Sequence, residues 1–192
     1  MPRARENAPI IEVRSRAELR DWLSDHHASG TSVWLITFKK HSEHYLDYGQ
    51  LIEELLCWGW IDSQTRAIDV DRTSVLISPR NPRSAWSAVN KANVERARAS
   101  GAMTPAGEAL ISEAISNGMW FFLDDVERLE VPDDLATSIG GLRSNWEDYP
   151  RSVKRGTLEW IKTAKTEKTR AGRIAEAAAA AREGRQPKPF AR

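Results

Sequence analysis

The sequence predicts an α+β fold: a small antiparallel sheet of about three strands packed with helices, followed by a helical C-terminal module. Three short β-rich apolar segments lie between residues 33 and 78. Apolar residues recur at helical spacing before and after them. The acidic, proline-broken stretch LEVPDD (129–134) sets the expected boundary between an α+β core domain, 1–128, and a helical module with a basic tail, 129–192.

The first predicted elements are a helix and a central strand. Ser15 and Glu18 have capping-box spacing, so a helix is expected to begin there and to stop by Gly30. The segment SVWLITFKK (32–40) is apolar at both odd and even positions, which is typical of a strand covered on both faces. It is therefore predicted to be the central strand.

The octet LCWGWIDS (56–63) joins a helix end to a strand start. Asp47 is expected to cap the helix, and Gly59 can terminate it with a tight reversal. Residues 60–68 and 73–78 read as two strands joined by a polar turn, with the first strand as their partner. The octet is thus predicted to pack both of its tryptophans into the core.

Helices are predicted for the rest of the chain. Ser84 is expected to cap a helix that runs to about Ala99, and Thr104 followed by proline begins another. The final helix is predicted at about Glu167 to Glu183, because it contains five consecutive alanines and precedes a glycine.

Composition limits the classes of function. The chain has one cysteine and no long apolar run near its start, so a cytoplasmic location and no membrane insertion are expected. Residues 151–192 hold 12 Lys and Arg against four Asp and Glu, although the net charge of the chain is only +1. Either contact between the basic tail and the acidic body, or attraction of a polyanion to the tail, explains this asymmetry.

Motifs of several enzyme classes are absent. The sequence has no P-loop, GxGxxG fingerprint, GxSxG elbow, HExxH or CxxC motif, and we expect no cofactor and no metal. His41 and His44 are too sparse to indicate a metal site. Cys57 is expected on the helix face away from the apolar stripe, beside acidic Glu53, so it is interpreted as a structural thiol rather than a nucleophile.

The densest polar segment is SPRNPRSAWSAVN (78–90). Two arginines there can bind carboxylate or phosphate in a bidentate manner, next to a predicted helix N-terminus. The alternative is structural, with an arginine neutralising Asp62 above a packed tryptophan. We hypothesise that one ligand-binding cleft is lined by Asp62, Arg80, Arg83, Ser84, Trp86 and Asn90.

Four blocks of sequence resemble one known family. They are LCWGWIDS, SPRNPRSAWSAVN, GAMTPAG (101–107) with the later GMW, and LEWIKTAKTEKTRAGRI (158–174). In this order they resemble the bacterial YdeI/OmpD-associated family of bacteriocin-protection proteins (OmdA-like), over about residues 30 to 185. The resemblance implies protection against bacteriocins or cationic peptides and association with an outer-membrane porin. It carries over no catalytic residue.

Three functional classes follow. The leading expectation is a cytosolic stress- or bacteriocin-protection protein that binds a small anionic ligand or a protein partner. The second is nucleic-acid association through the basic C-terminal helices. The third is an enzyme that uses Asp62 as an acid or base.

Overall fold

The computed structural model describes residues 8–188 and residue 190. The chain divides into two compact units, Met1–Phe122 and Leu123–Arg192, called here the first and the second unit. The first unit contains a sheet and helices, whereas the elements described in the second unit are helical. The predicted α+β class with a helical C-terminal part is therefore confirmed.

The first unit alternates strands and helices. In chain order its elements are β1 (Ile10–Glu12), α1 (Arg16–His26), β2 (Val33–Phe38), α2 (Tyr48–Cys57), β3 (Trp60–Ala67), β4 (Arg72–Pro79), α3 (Ala88–Ala99) and α4 (Pro105–Ser116).

The sheet has the strand order β1-β2-β4-β3. β4 pairs antiparallel with both β2 and β3, which confirms the predicted three-stranded arrangement. β1 adds a fourth strand that runs parallel to β2, so the sheet is mixed rather than purely antiparallel. A strand of three residues is too short to show an alternating pattern, which is why the sequence did not predict it.

The core of the first unit lies between the sheet and its helices. Burial of a large apolar side chain contributes about 1.5–3 kcal/mol, so this cluster is the main source of stability of the unit. Its fully buried members include Leu19, Leu23, Leu35, Leu55, Leu56, Trp60, Ile77 and Val94.

Most of the predicted helix caps are confirmed. The side chains of Ser15, Asp47 and Thr104 accept hydrogen bonds from backbone N–H groups of the first helical turn. The prediction that Ser84 caps α3 is wrong, because the backbone N–H of Ser84 closes a turn onto the carbonyl of Asn81. Ser87 caps the helix instead, accepting from the N–H of Asn90 at 3.3 Å.

The octet 56–63 forms the predicted helix end. Gly59 has φ of +74°, a left-handed conformation that favours glycine, and the chain turns there from α2 into β3. Trp60 is fully buried, with its indole N–H donating to the carbonyl of His27 at 3.0 Å, whereas Trp58 is only partly buried. Cys57 is also fully buried, but it is not among the members of the core cluster formed by Leu51, Leu55 and Leu56.

The second unit is a helical assembly. Its elements are α5 (Asp124–Glu127), α6 (Asp133–Ile139), α7 (Arg143–Glu147), α8 (Arg151–Lys162) and α9 (Glu167–Glu183). The last helix has the predicted bounds, and the alanines Ala177, Ala178, Ala180 and Ala181 are buried. Its small side chains allow close packing against α6, α7 and α8.

Candidate functional site

The candidate site is built around the loop of residues 80–87 between β4 and α3, called here the arginine loop. Arg80 opens it at the end of β4, where its backbone N–H donates to the carbonyl of Gly59 at 2.9 Å. The Arg80 side chain is buried, with its guanidinium 4.1 Å from the ring centre of Trp86. Its Nη2 donates to the carbonyl of Ala85 at 2.6 Å.

The buried charge of Arg80 has no acidic partner among the described residues, and its Nε has no hydrogen-bond partner there. Burial lowers the pKa of its guanidinium to about 10. Stacking on an indole recovers part of the cost of removing the charge from water, but a carboxylate is the usual compensation. Arg80 therefore maintains a positive potential inside the loop that this part of the protein does not neutralise.

Arg83 lies in the same loop and lines a cavity of about 600 Å³, called here the Arg83 cavity. The side chain is exposed, and its guanidinium makes no hydrogen bond or ion pair with a described residue. A free guanidinium offers five N–H donors in a planar fork that matches a carboxylate or phosphate. The lining consists of Asn81, Pro82, Arg83, Glu113, Asn117 and Met119.

Direct contacts hold the two walls of this cavity together. The side-chain amide of Asn117, just after α4, donates to the carbonyl of Pro82 at 3.0 Å. The backbone N–H of Trp86 donates to the carbonyl of Met119 at 3.1 Å, and the ring of Trp86 packs 5.1 Å from that of Trp120. The cavity is thus part of the packed first unit and not a gap between loose loops.

The prediction that an arginine neutralises Asp62 is wrong. Asp62 pairs in the sheet with Ile77, and the hydroxyl of Tyr48 donates to its carboxylate. Neither Arg80 nor Arg83 forms an ion pair with it. Burial, followed by the bond to Asp62, raises the pKa of Tyr48 well above its usual range. Tyr48 lies 14 residues before Asp62, and only the tertiary structure brings the two together.

The predicted site residues occupy different positions around the loop. Arg83 lines the Arg83 cavity, while buried Trp86 packs under Arg80. Ser84 belongs to the turn that closes onto Asn81, and Asn90 lies in the first turn of α3. A single cleft lined by all six predicted residues therefore stays a prediction.

A second cavity of the first unit was not predicted. It has a volume of about 570 Å³ and is called here the Glu54 cavity. Glu54 is almost completely buried on α2, and its two oxygens accept from Arg16 at 2.8 Å and Arg20 at 2.7 Å. Arg16 also binds Glu53, and Arg20 also donates to the carbonyl of Ala102. The i, i+4 spacing of the two arginines on α1 was the available signal, but it did not identify their acidic partner.

Cys57 is also beside this network. Burial raises the pKa of its thiol to about 11, and the negative charge of Glu54 adds to the effect. A protonated, buried thiol is a poor nucleophile, which agrees with its interpretation as a structural residue. Its carbonyl accepts a hydrogen bond from the hydroxyl of Thr104 at 2.5 Å, which links α2 to α4.

Many basic residues of the second unit are paired inside that unit. Lys162 binds Asp125 at 2.6 Å, and Arg170 binds Asp134 at 2.7 Å. The guanidinium of Arg173 donates to the carbonyl of Trp160. These pairs use much of the positive charge that was expected to attract a polyanion, so the structure gives no specific support to a nucleic-acid interface.

Two general searches of the described residues gave negative results. No group of three or more His, Cys, Asp or Glu side chains is arranged to hold a metal ion there. No helix in that part of the chain is long and apolar enough to cross a membrane.

Comparison with known families gives two matches. Residues 11–110 match the family described as Domain of unknown function (DUF8412). Residues 128–184 match the family described as Bacteriocin-protection, YdeI or OmpD-Associated. The predicted family resemblance is therefore confirmed, but the match covers only the C-terminal part and not the expected range of about 30 to 185. No curated protein and no solved structure matches the chain.

Proposed function

Because the chain belongs to the family described as Domain of unknown function (DUF8412), whose description gives no activity, we propose from its site that the first unit binds a small anionic ligand at the arginine loop. The match of residues 128–184 supports a role for this binding in protection against bacteriocins or related stress. A cytoplasmic location is part of the proposal and does not rest on this match. Binding rather than catalysis is the proposed role.

The observation that carries the proposal is the pair of arginines without carboxylate partners. Arg80 is buried without an acidic partner, and Arg83 lines the adjacent cavity with a free guanidinium. Both arginines belong to the same short loop, so an anion bound by Arg83 lies in a segment that carries a second positive charge. Elsewhere in the first unit, Arg16, Arg20 and Arg98 are each paired with a carboxylate.

A thermal-shift panel of carboxylates, phosphates, nucleotides and short nucleic acids, followed by calorimetric titration of each hit, tests the proposal. A ligand present at a hundred times its dissociation constant stabilises the folded state by about 2.7 kcal/mol, which raises the Tm by roughly 5 to 10 °C. We expect such a shift from a small anion with the wild type, and its loss in Arg83→Ala.

The matched control is Arg14→Ala, which removes the same charge from another exposed position of the first unit. It should retain the affinity of the wild type. If no anion shifts the wild type, or if the two variants lose affinity equally, the arginine loop is not the binding site. If short nucleic acids alone bind, with affinity that falls steeply with salt, the nucleic-acid function replaces this proposal.

A further inference from the structure

The Arg83 cavity contains a negative charge as well as a positive one. Glu113, on the last turns of α4, lines it together with Arg83. The carboxylate of Glu113 makes no hydrogen bond or ion pair with a described residue, and it does not pair with Arg83. The cavity is therefore lined by two opposite charges that the described part of the chain leaves unneutralised.

Another glutamate of α4 does pair with an arginine. Near the start of α4, Glu108 accepts two hydrogen bonds from Arg98, at 2.8 and 2.7 Å. Exposed arginine and glutamate side chains are long enough to meet in this way when the backbone allows it. At the other end of the helix, the pair that lines the Arg83 cavity does not meet.

Hydrogen bonds fix the backbone on both sides of the cavity. The side-chain oxygen of Asn81 accepts from the N–H of Arg83 at 2.9 Å, which sets the turn that carries this arginine. Asn117 is held at both ends of its amide: its nitrogen donates to the carbonyl of Pro82, and its oxygen accepts from the N–H of Met119, each at 3.0 Å. These bonds fix the backbone that carries Arg83 and the segment that follows α4 relative to one another.

The two ends of the cavity differ in charge preference. On the α4 side, Glu113 and the negative end of the helix dipole both favour a cation. On the loop side, the guanidinium of Arg83 favours an anion. The thioether of Met119 supplies apolar lining. One small molecule with both charges satisfies both ends.

We propose that the ligand of the Arg83 cavity is a small zwitterion, a free amino acid or a short peptide, whose carboxylate binds Arg83 and whose ammonium binds Glu113. This inference rests on the proposed function, since it assigns a ligand class to the same site. It adds a requirement that anion binding alone does not have: the ligand must carry a positive group.

Calorimetric titration of the full chain with four probes tests the requirement. The probes are leucine, the dipeptide glycyl-leucine, N-acetyl-leucine, which keeps only the carboxylate, and leucinamide, which keeps only the ammonium. We expect leucine or glycyl-leucine to bind at least about tenfold more tightly than either single-charge probe, since each charge adds a charge-assisted hydrogen bond, the stronger kind. Whether leucine or the dipeptide binds better distinguishes an amino acid from a peptide ligand.

Two variants assign the charges. Glu113→Gln should remove the preference for the zwitterion and leave the affinity for N-acetyl-leucine within about twofold, because it removes only the charge that binds the ammonium. Arg83→Gln should weaken both ligands. Glu43→Gln, at an exposed glutamate outside the cavity lining, is the control and should bind as the wild type does.

The outcomes separate the two proposals. If N-acetyl-leucine or another anion binds as tightly as the zwitterions in an Arg83-dependent manner, the zwitterion inference is wrong and the anion-binding function stands. If neither zwitterions nor anions bind the folded wild type, both are wrong. If the preference persists in Glu113→Gln, the ammonium is recognised elsewhere and the inference fails.

Discussion

The two cavities of the first unit have similar volumes, about 570 Å³ for the Glu54 cavity and about 600 Å³ for the Arg83 cavity, but opposite charge arrangements. Around Glu54, two arginines bind one buried carboxylate. Around Arg83, the charged side chains remain apart, next to the buried, unneutralised Arg80. Cavity size therefore does not distinguish the sites, whereas the pairing of charges does. The first network is neutralised within the protein, whereas the charges around Arg83 are not neutralised by the described residues.

The largest predicted effect is at the paired network. Glu54→Gln removes the charge that Arg16 and Arg20 share, and we expect it to lower the free energy of unfolding by about 3 kcal/mol. This is the lower end of the range for a broken buried ion pair, because both arginines are about one-third exposed and regain some hydration. Urea denaturation measures this loss. Glu53→Gln, at the second carboxylate that Arg16 binds, should lower the free energy of unfolding by less than half as much.

The Cys57 thiol, beside the same network, should make stability depend on alkaline pH. Burial raises the pKa of this thiol in the folded state to about 11, from an ordinary value of 9.0. The unfolded state therefore loses its proton first, so the contribution of the thiol to stability is complete below the ordinary pKa and falls as the pH rises toward 11. By pH 10.5, the free energy of unfolding of the wild type should fall by about 2 kcal/mol more than that of Cys57→Ala.

Urea denaturation of both proteins at pH 7.5, 9.5 and 10.5 measures that difference. Comparison with the variant removes the contributions of Lys and Tyr residues that titrate in the same range. Parallel pH profiles for the two proteins would show that Cys57 does not titrate differently on folding.

A smaller effect on the free energy of unfolding is predicted at Arg80, whose buried charge has no carboxylate partner among the described residues. Arg80→Met removes a buried charge that has no carboxylate while it retains an unbranched side chain against Trp86. The gain from removing the charge opposes the loss of the bond to the carbonyl of Ala85, so we expect the free energy of unfolding to change by less than about 1 kcal/mol. A loss near that of Glu54→Gln would mean that Arg80 is as structural as the Glu54 network.

The smallest effect on stability is predicted at Arg83. Its side chain is exposed and makes no polar contact with a described residue, so Arg83→Ala should change the free energy of unfolding by less than about 0.5 kcal/mol. The same urea titration checks this value. A destabilisation of several kcal/mol would assign Arg83 to the fold and remove the contrast between the two cavities.

The contrast also explains which parts of the molecule the sequence could predict. The caps at Ser15, Asp47 and Thr104 depend on partners within three residues, so local spacing identifies them. Ser84 and Ser87 both precede α3, and only the turn between Ser84 and Asn81 decides which of them is the cap.

Local spacing does not identify contacts between residues that are far apart in sequence. The segment 78–90 was recognised as polar and arginine-rich, but nothing in its spacing shows that the end of α4 lies beside it. Glu113 therefore could not be added to the site before the structure was known. For the same reason, the sequence predicts an arginine as the partner of Asp62, whereas Tyr48 binds it in the structure.

The most direct test of the account is calorimetric titration of small anions and zwitterions into the wild type, Arg83→Ala and Arg14→Ala, with the folding of each protein checked by its urea midpoint. The account predicts binding to the wild type and Arg14→Ala, and a loss of at least about tenfold, or 1.4 kcal/mol, in a fully folded Arg83→Ala. Equal affinity in all three proteins, or no binding to the wild type, would contradict it.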